Sequence, residues 1–116
     1  MSCLFRSLAY YVDNLDTESL RQKICDYMEK NPCIIDDIPI NLITEWTHGS
    51  SLQQYIKKMR LSSTWGTGVE IKCFCDMLGV YVNVHHNNRV IEFIPRKLYV
   101  NKVIQLRYNG NHYEHM

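Results

Sequence analysis

Residues 69–95 read VEIKCFCDMLGVYVNVHHNNRVIEFIP, and their apolar positions change period once, at Gly79. Before the glycine, VEIKCFCDML predicts a helix that stops where a left-handed residue is commonly required. After it, Val80, Val82 and Val84 alternate with Tyr81, Asn83 and His85, the period of a strand. The stretch HNNR turns that strand into a second one, VIEFIP.

Toward the C-terminus, KVIQLRY (102–108) predicts a third strand, running into the polar turn NGNHYEHM. Upstream, STWGTG (63–68) reads as a loop, because its two glycines permit backbone conformations that other residues resist. Leu52, Tyr55, Ile56 and Met59 mark a short amphipathic helix in SLQQYIKKMRL. Residues 33–50 are less periodic and carry Pro39, and a short helix is expected around Asn41 to Thr47. LRQKICDYMEKN forms a longer helix, capped by Asp16 and ended at Asn31-Pro32, with Leu20, Ile24, Tyr27 and Met28 on one face. The first helix is expected from Cys3 to Val12, with Leu4, Leu8, Tyr11 and Val12 at helical spacing. Helices first and a sheet last predict an α+β fold, with helices packed on a small mixed or antiparallel sheet from roughly 80 to 108.

With 116 residues, 46% of them hydrophobic, the chain is expected to form one packed domain, 1–116. Thirteen basic and twelve acidic side chains leave +1, too little field to draw the protein to nucleic acid or an anionic membrane. No apolar run approaches the ~20 residues of a membrane span, and Arg6 interrupts the opening apolar stretch before it could serve as a signal-peptide core. Five cysteines, an odd count without framework spacing, point to reduced thiols and a cytoplasmic protein. A monomer is expected.

A cysteine at a helix start sits beside the positive end of the helix dipole, which favours thiolate over thiol. Cys3 is therefore the nucleophile candidate, and His112, in a turn that can aim a side chain at a cleft, is the candidate base. Each residue alone is more commonly an ordinary thiol or an ordinary surface imidazole.

The words around them carry further. CLFRSLA at Cys3, the helix with LRQKICDYM, QYIKKM followed by WGTGVEI, the VYVNV strand, and VIQLRYNGNHYE resemble, in that order, the ovarian-tumour (OTU) family of cysteine proteases. The resemblance implies a papain-type thiol protease fold. It implies hydrolysis of isopeptide bonds at the C-terminus of ubiquitin, polyubiquitin or ubiquitin-like modifiers, with Cys3 as nucleophile and His112 as general base. It places Trp65, Gly66 and Tyr113 beside the substrate and Glu114, two residues after the histidine, as the group that orients the imidazole. No cofactor is implied.

The family pattern usually has aspartate-glycine-(asparagine or serine) before the cysteine, and here only Met1 and Ser2 precede it. Either the chain starts downstream of that loop or its oxyanion hole is incomplete, and losing one donor there costs about a hundredfold or more in rate. The alternative is a catalytically impaired OTU-fold protein that binds ubiquitin or acts as a scaffold. Small size is also reminiscent of viral or bacterial effectors, which would act in a host cytoplasm.

Other motifs have plainer readings. Trp65 either shapes the substrate channel or anchors packing. Cys73 and Cys75 point apart on a helix and make a poor chelate, so a zinc site with His85 and His86 is a minor reading and no metal is expected. Cys25 and Cys33 read as core thiols, and Glu70 as a residue serving the N-terminus of its helix.

Overall fold

A computed structural model describes residues 2–13, 15–31, 33–35, 38–39, 52–99 and 101–116. The elements in chain order are α1 (Cys3–Ala9), α2 (Thr17–Lys30), β1 (Cys33–Ile35), β2 (Ile38–Pro39), α3 (Leu52–Met59), α4 (Gly68–Leu78), β3 (Tyr81–His86), β4 (Arg89–Phe93), β5 (Val103–Tyr108) and β6 (Tyr113–His115). The helix expected around Asn41 to Thr47 lies outside the described residues.

The period change at Gly79 governs the centre of the fold. Glu70 and Thr67 form a capping box at the start of α4. Gly79 closes the helix in the left-handed region (φ 63°), its N–H donating to the Cys75 carbonyl at 2.7 Å. The chain then enters β3, and Asn87 and Asn88, both at positive φ (49° and 62°), make the two-residue turn into antiparallel β4.

The main sheet has the order β4-β3-β5-β6. β3 and β5 pair in parallel while the other two pairs are antiparallel, so the sheet is mixed. A parallel pair needs a crossover. The segment after β4 is pinned across the end of α4 by the Arg96 N–H to Asp76 Oδ1 (2.8 Å) and the Tyr99 N–H to the Gly79 carbonyl (3.0 Å).

Val82, Val84, Ile104 and Leu106 share one sheet face and join Phe5, Leu8, Leu20, Ile24, Met28, Ile71 and Phe74 in one buried core. Each such side chain contributes roughly 1.5–3 kcal/mol on leaving water. This core fixes α1 against the far edge of the sheet, at β6.

Two expectations are corrected. The sheet does not end at 108: Tyr113–His115, read as part of a turn, pairs with β5 in the register Leu106↔His115 and Tyr108↔Tyr113. Three residues are too few to show a period. The first helix ends at Ala9, not Val12, and the next residues make tighter turns, with Tyr11 N–H to the Leu8 carbonyl and Val12 N–H to the Ala9 carbonyl. Leaving the helix lets the Tyr11 hydroxyl reach the carbonyls of Gln105 and Met116, each at 2.9 Å.

Candidate active site

Cys3 is the first residue of α1 and is 5% exposed. Its Sγ accepts a hydrogen bond from the backbone N–H of Tyr113 at 3.4 Å. The pairing of β6 with β5 and the stacking of Tyr10 on His115, with centroids 3.7 Å apart, hold the two partners together. The thiol therefore lies against the residue that follows His112.

His112 is set by its turn. Asn109 Oδ1 accepts from the N–H groups of both Asn111 (3.0 Å) and His112 (2.8 Å), and the Asn109 N–H returns a bond to the His112 carbonyl (3.2 Å). Gly110 supplies the left-handed φ of 100° that this turn requires. Asn109 was not singled out from sequence as a positioning group, although the asparagine- and glycine-rich composition marked the turn.

Cys3, His112 and Glu114 line one cavity of about 260 Å³, together with Arg6, Ser7 and Tyr10. Among the described residues the His112 ring makes no hydrogen bond. Glu114 instead lies 3.8 Å from the guanidinium of Arg107, its register partner on β5. That pair is exposed on both sides, and such pairs are weak enough to exchange partners.

Trp65, Gly66 and Tyr113 come together in a second cavity of about 440 Å³. Tyr113 lines both cavities, so the two share a wall. Trp65 is 49% exposed, so it is not a buried packing anchor. Tyr108, which lines the same cavity, stacks on Tyr113 at 4.3 Å, and burial pushes the Tyr113 hydroxyl up to about 12, so it stays protonated at neutral pH.

The loop carrying Trp65 is anchored from inside. Glu70, fully buried, accepts through Oε1 from the N–H (2.6 Å) and hydroxyl (2.8 Å) of Thr67, and through Oε2 from the Tyr55 hydroxyl (2.7 Å). Burial raises the pKa of Glu70, and the three donated bonds oppose that shift. The same burial raises Tyr55, which stays a donor. Glu70 thus serves its helix N-terminus as expected; Tyr55, legible only as part of an apolar helix face, is the partner that sequence reasoning missed. Gly66 sits directly on α1, since a Cβ there would come 2.5 Å from Leu4 Cδ2.

The remaining thiols are chemically different. Cys25, Cys73 and Cys75 are buried in the core, and burial pushes Cys25 and Cys75 up to about 12 and raises Cys73 as well. The Cys33 side chain lies outside what the structure describes. His85 bonds Gln105 Oε1 at 2.6 Å and His86 bonds the Tyr108 carbonyl at 2.8 Å, apart from the core cysteines. Among the described residues, no group of three or more His, Cys, Asp or Glu is arranged to hold a metal ion.

A thiol at a helix start, a histidine turn on an adjacent strand and a glycine-bearing loop opposite are what acyl transfer to sulfur needs. Similarity to known proteins points the same way. No curated protein sequence matches the chain. Among solved structures, an ovarian-tumour (OTU) domain in complex with ubiquitin superposes with a TM-score of 0.75 at 22% identity, covering 98% of this chain and 62% of that one. The present chain thus spans less than two-thirds of that relative. The OTU domain protease of Taggert virus (TM-score 0.68, 18% identity, 98% and 71% coverage) and the Hazara virus OTU bound to ubiquitin (0.67, 21%, 98% and 73%) share the fold. The family model described as OTU-like cysteine protease matches residues 2–114, from the residue before the thiol to Glu114, and the chain belongs to that family.

Proposed function

We propose that this protein is a deubiquitinase that hydrolyses isopeptide bonds at the C-terminus of ubiquitin or a ubiquitin-like modifier, with Cys3 as nucleophile and His112 as general acid and base. The observation that carries the reading is the Tyr113 N–H to Cys3 Sγ hydrogen bond, which sets the residue after His112 against the thiol. Family membership, and the ubiquitin bound to two of the similar structures, support the substrate class.

In this mechanism the Cys3 thiolate attacks the carbonyl carbon of the modifier's C-terminal glycine, and His112 protonates the departing lysine amine. A thioester remains on Cys3. Water, deprotonated by His112, then attacks the thioester, releasing the modifier's carboxylate and returning the thiol. Glu114 orients the imidazole by turning from Arg107 toward His112 as substrate enters, and Trp65, Gly66 and Tyr113 flank the acyl chain. Residues 1–116 act as one domain and as a monomer, in a reducing compartment such as the cytoplasm that keeps Cys3 a thiol.

The test is incubation with ubiquitin bearing a C-terminal electrophile, beside Cys3→Ala. A Cys3-dependent adduct of one ubiquitin mass is expected; ubiquitin binding with no adduct would favour a binding protein that keeps the fold without the reaction.

A further inference from the structure

Against Ser2 and Phe5 at the start of α1 lies a charge that the reaction scheme leaves unused. Arg21, on α2, is fully buried, and its guanidinium carbon sits 4.1 Å above the Phe5 ring. Nη1 donates to the Met59 carbonyl at 2.8 Å; Nη2 donates to Ser2 Oγ at 3.1 Å and reaches the Ser62 carbonyl at 3.5 Å. Nε makes no hydrogen bond among the described residues, and Glu18 Oε2 stands 3.7 Å from it. For stability alone this is an expensive arrangement, because a well-packed apolar residue of similar volume avoids the desolvation of the charge.

What an apolar residue could not do is hold these particular groups. Ser2 and Phe5 flank Cys3 in sequence, while Met59 and Ser62 lead into the loop of Trp65 and Gly66. Ser2 occupies the N-cap of α1, where a serine hydroxyl ordinarily accepts from an amide of its own first turn. Here it makes no such bond and is engaged instead with Arg21, Glu18 and the Ser62 carbonyl.

We propose that Arg21 is a positioning residue for the reaction: through Ser2 and Phe5 it fixes the Cys3 backbone relative to the Trp65–Gly66 wall of the cleft. The inference rests on Cys3 being the nucleophile. It matters because a misplacement of about 1 Å at a reacting atom can cost on the order of a hundredfold in rate.

Ser2→Ala removes the hydroxyl through which Arg21, Glu18 and the Ser62 carbonyl engage the residue before Cys3, and comparison with Arg21→Met separates the arginine's share. With ubiquitin carrying a C-terminal fluorophore, it is expected to lower kcat about tenfold and to leave KM within about twofold, the signature of an interaction that matters only in the transition state. Ser2→Thr, which keeps the hydroxyl, should restore kcat to within about twofold of the unaltered chain. Arg21→Met should fold and lower kcat by at least as much, and Ser2→Ala should then add nothing to it. If Arg21→Met does not fold, the Ser2 pair decides alone. An unchanged kcat in Ser2→Ala, or a loss confined to KM, would overturn the proposal.

The same variants are run with p-nitrophenyl acetate, reading the Cys3-dependent burst of nitrophenolate against Cys3→Ala. A burst slowed by Ser2→Ala in a chain that leaves ubiquitin substrates untouched would retain the role of Arg21 and remove the proposed substrate. No Cys3-dependent acyl transfer to either reagent would sink the inference.

Discussion

The two walls of the cleft are built on opposite principles. The Trp65–Thr67 wall is held from within by a buried carboxylate, two hydroxyls and an amide, and Gly66 presses on the nucleophile helix. The His112 wall is an exposed turn held by the Asn109 side chain, the Tyr108 hydroxyl on the Gly110 carbonyl and a three-residue strand. The first wall is tied to the core through buried Glu70 and Leu4 and carries stability. The second carries the histidine to which the proposed mechanism gives proton transfer, so substitutions in the two should weigh differently on fold and on rate.

The sharpest break is His112→Ala. Loss of the general base should lower kcat/KM on a ubiquitin–fluorophore substrate by at least about 10³-fold, or about 4 kcal/mol, while a urea melt moves by no more than about 0.5 kcal/mol. Glu70→Ala should do the reverse. It removes the shared acceptor of the Thr67 amide, the Thr67 hydroxyl and the Tyr55 hydroxyl, and a loss of about 2–4 kcal/mol in the same melt is expected, with activity following the folded fraction. Gly66→Ala forces its Cβ onto Leu4 and should cost about 1–3 kcal/mol of stability, read as a lowered thermal midpoint, with some loss of kcat because Leu4 adjoins Cys3. Glu114→Gln is the finest test. If the carboxylate orients the imidazole, kcat should fall by about tenfold, and because its pair with Arg107 is exposed, stability should stay within about 0.5 kcal/mol. A Glu114→Gln variant that melts early but turns over normally would move that residue to the other side of the comparison.

The same division explains what could be read from sequence. The elements behind the first wall announced themselves: Gly79, Glu70 at the start of its helix and the valine alternation each follow a local rule, and the structure obeys them, whereas Thr67, read only as part of a loop, emerged as the cap with the structure. The exposed wall did not. β6 has no local signature because its only warrant is a partner strand, and the parallel pairing of β3 with β5 depends on a crossover that no spacing encodes. Asn109 and Tyr55 were visible as residue types but not as partners of His112 and Glu70. Arg21 was hidden for a related reason: an arginine beside a leucine on an amphipathic helix reads as solvent-facing until its neighbours are known. The OTU resemblance named Cys3 and His112 by their surrounding words, whereas helix and strand periods alone reached only a plausible thiol and a plausible turn.

The hydrogen bond between Cys3 and Tyr113 joins residues 110 apart in the chain. A contact that distant is closed only after the intervening sheet exists to bridge it, since bringing far-separated segments together costs entropy that local structure must first offset. The proposed catalytic competence is therefore coupled to completion of the fold. A chain in which the last strand has not docked has a helix and a cysteine but no His112 turn beside it, and so under the proposed mechanism could not turn over.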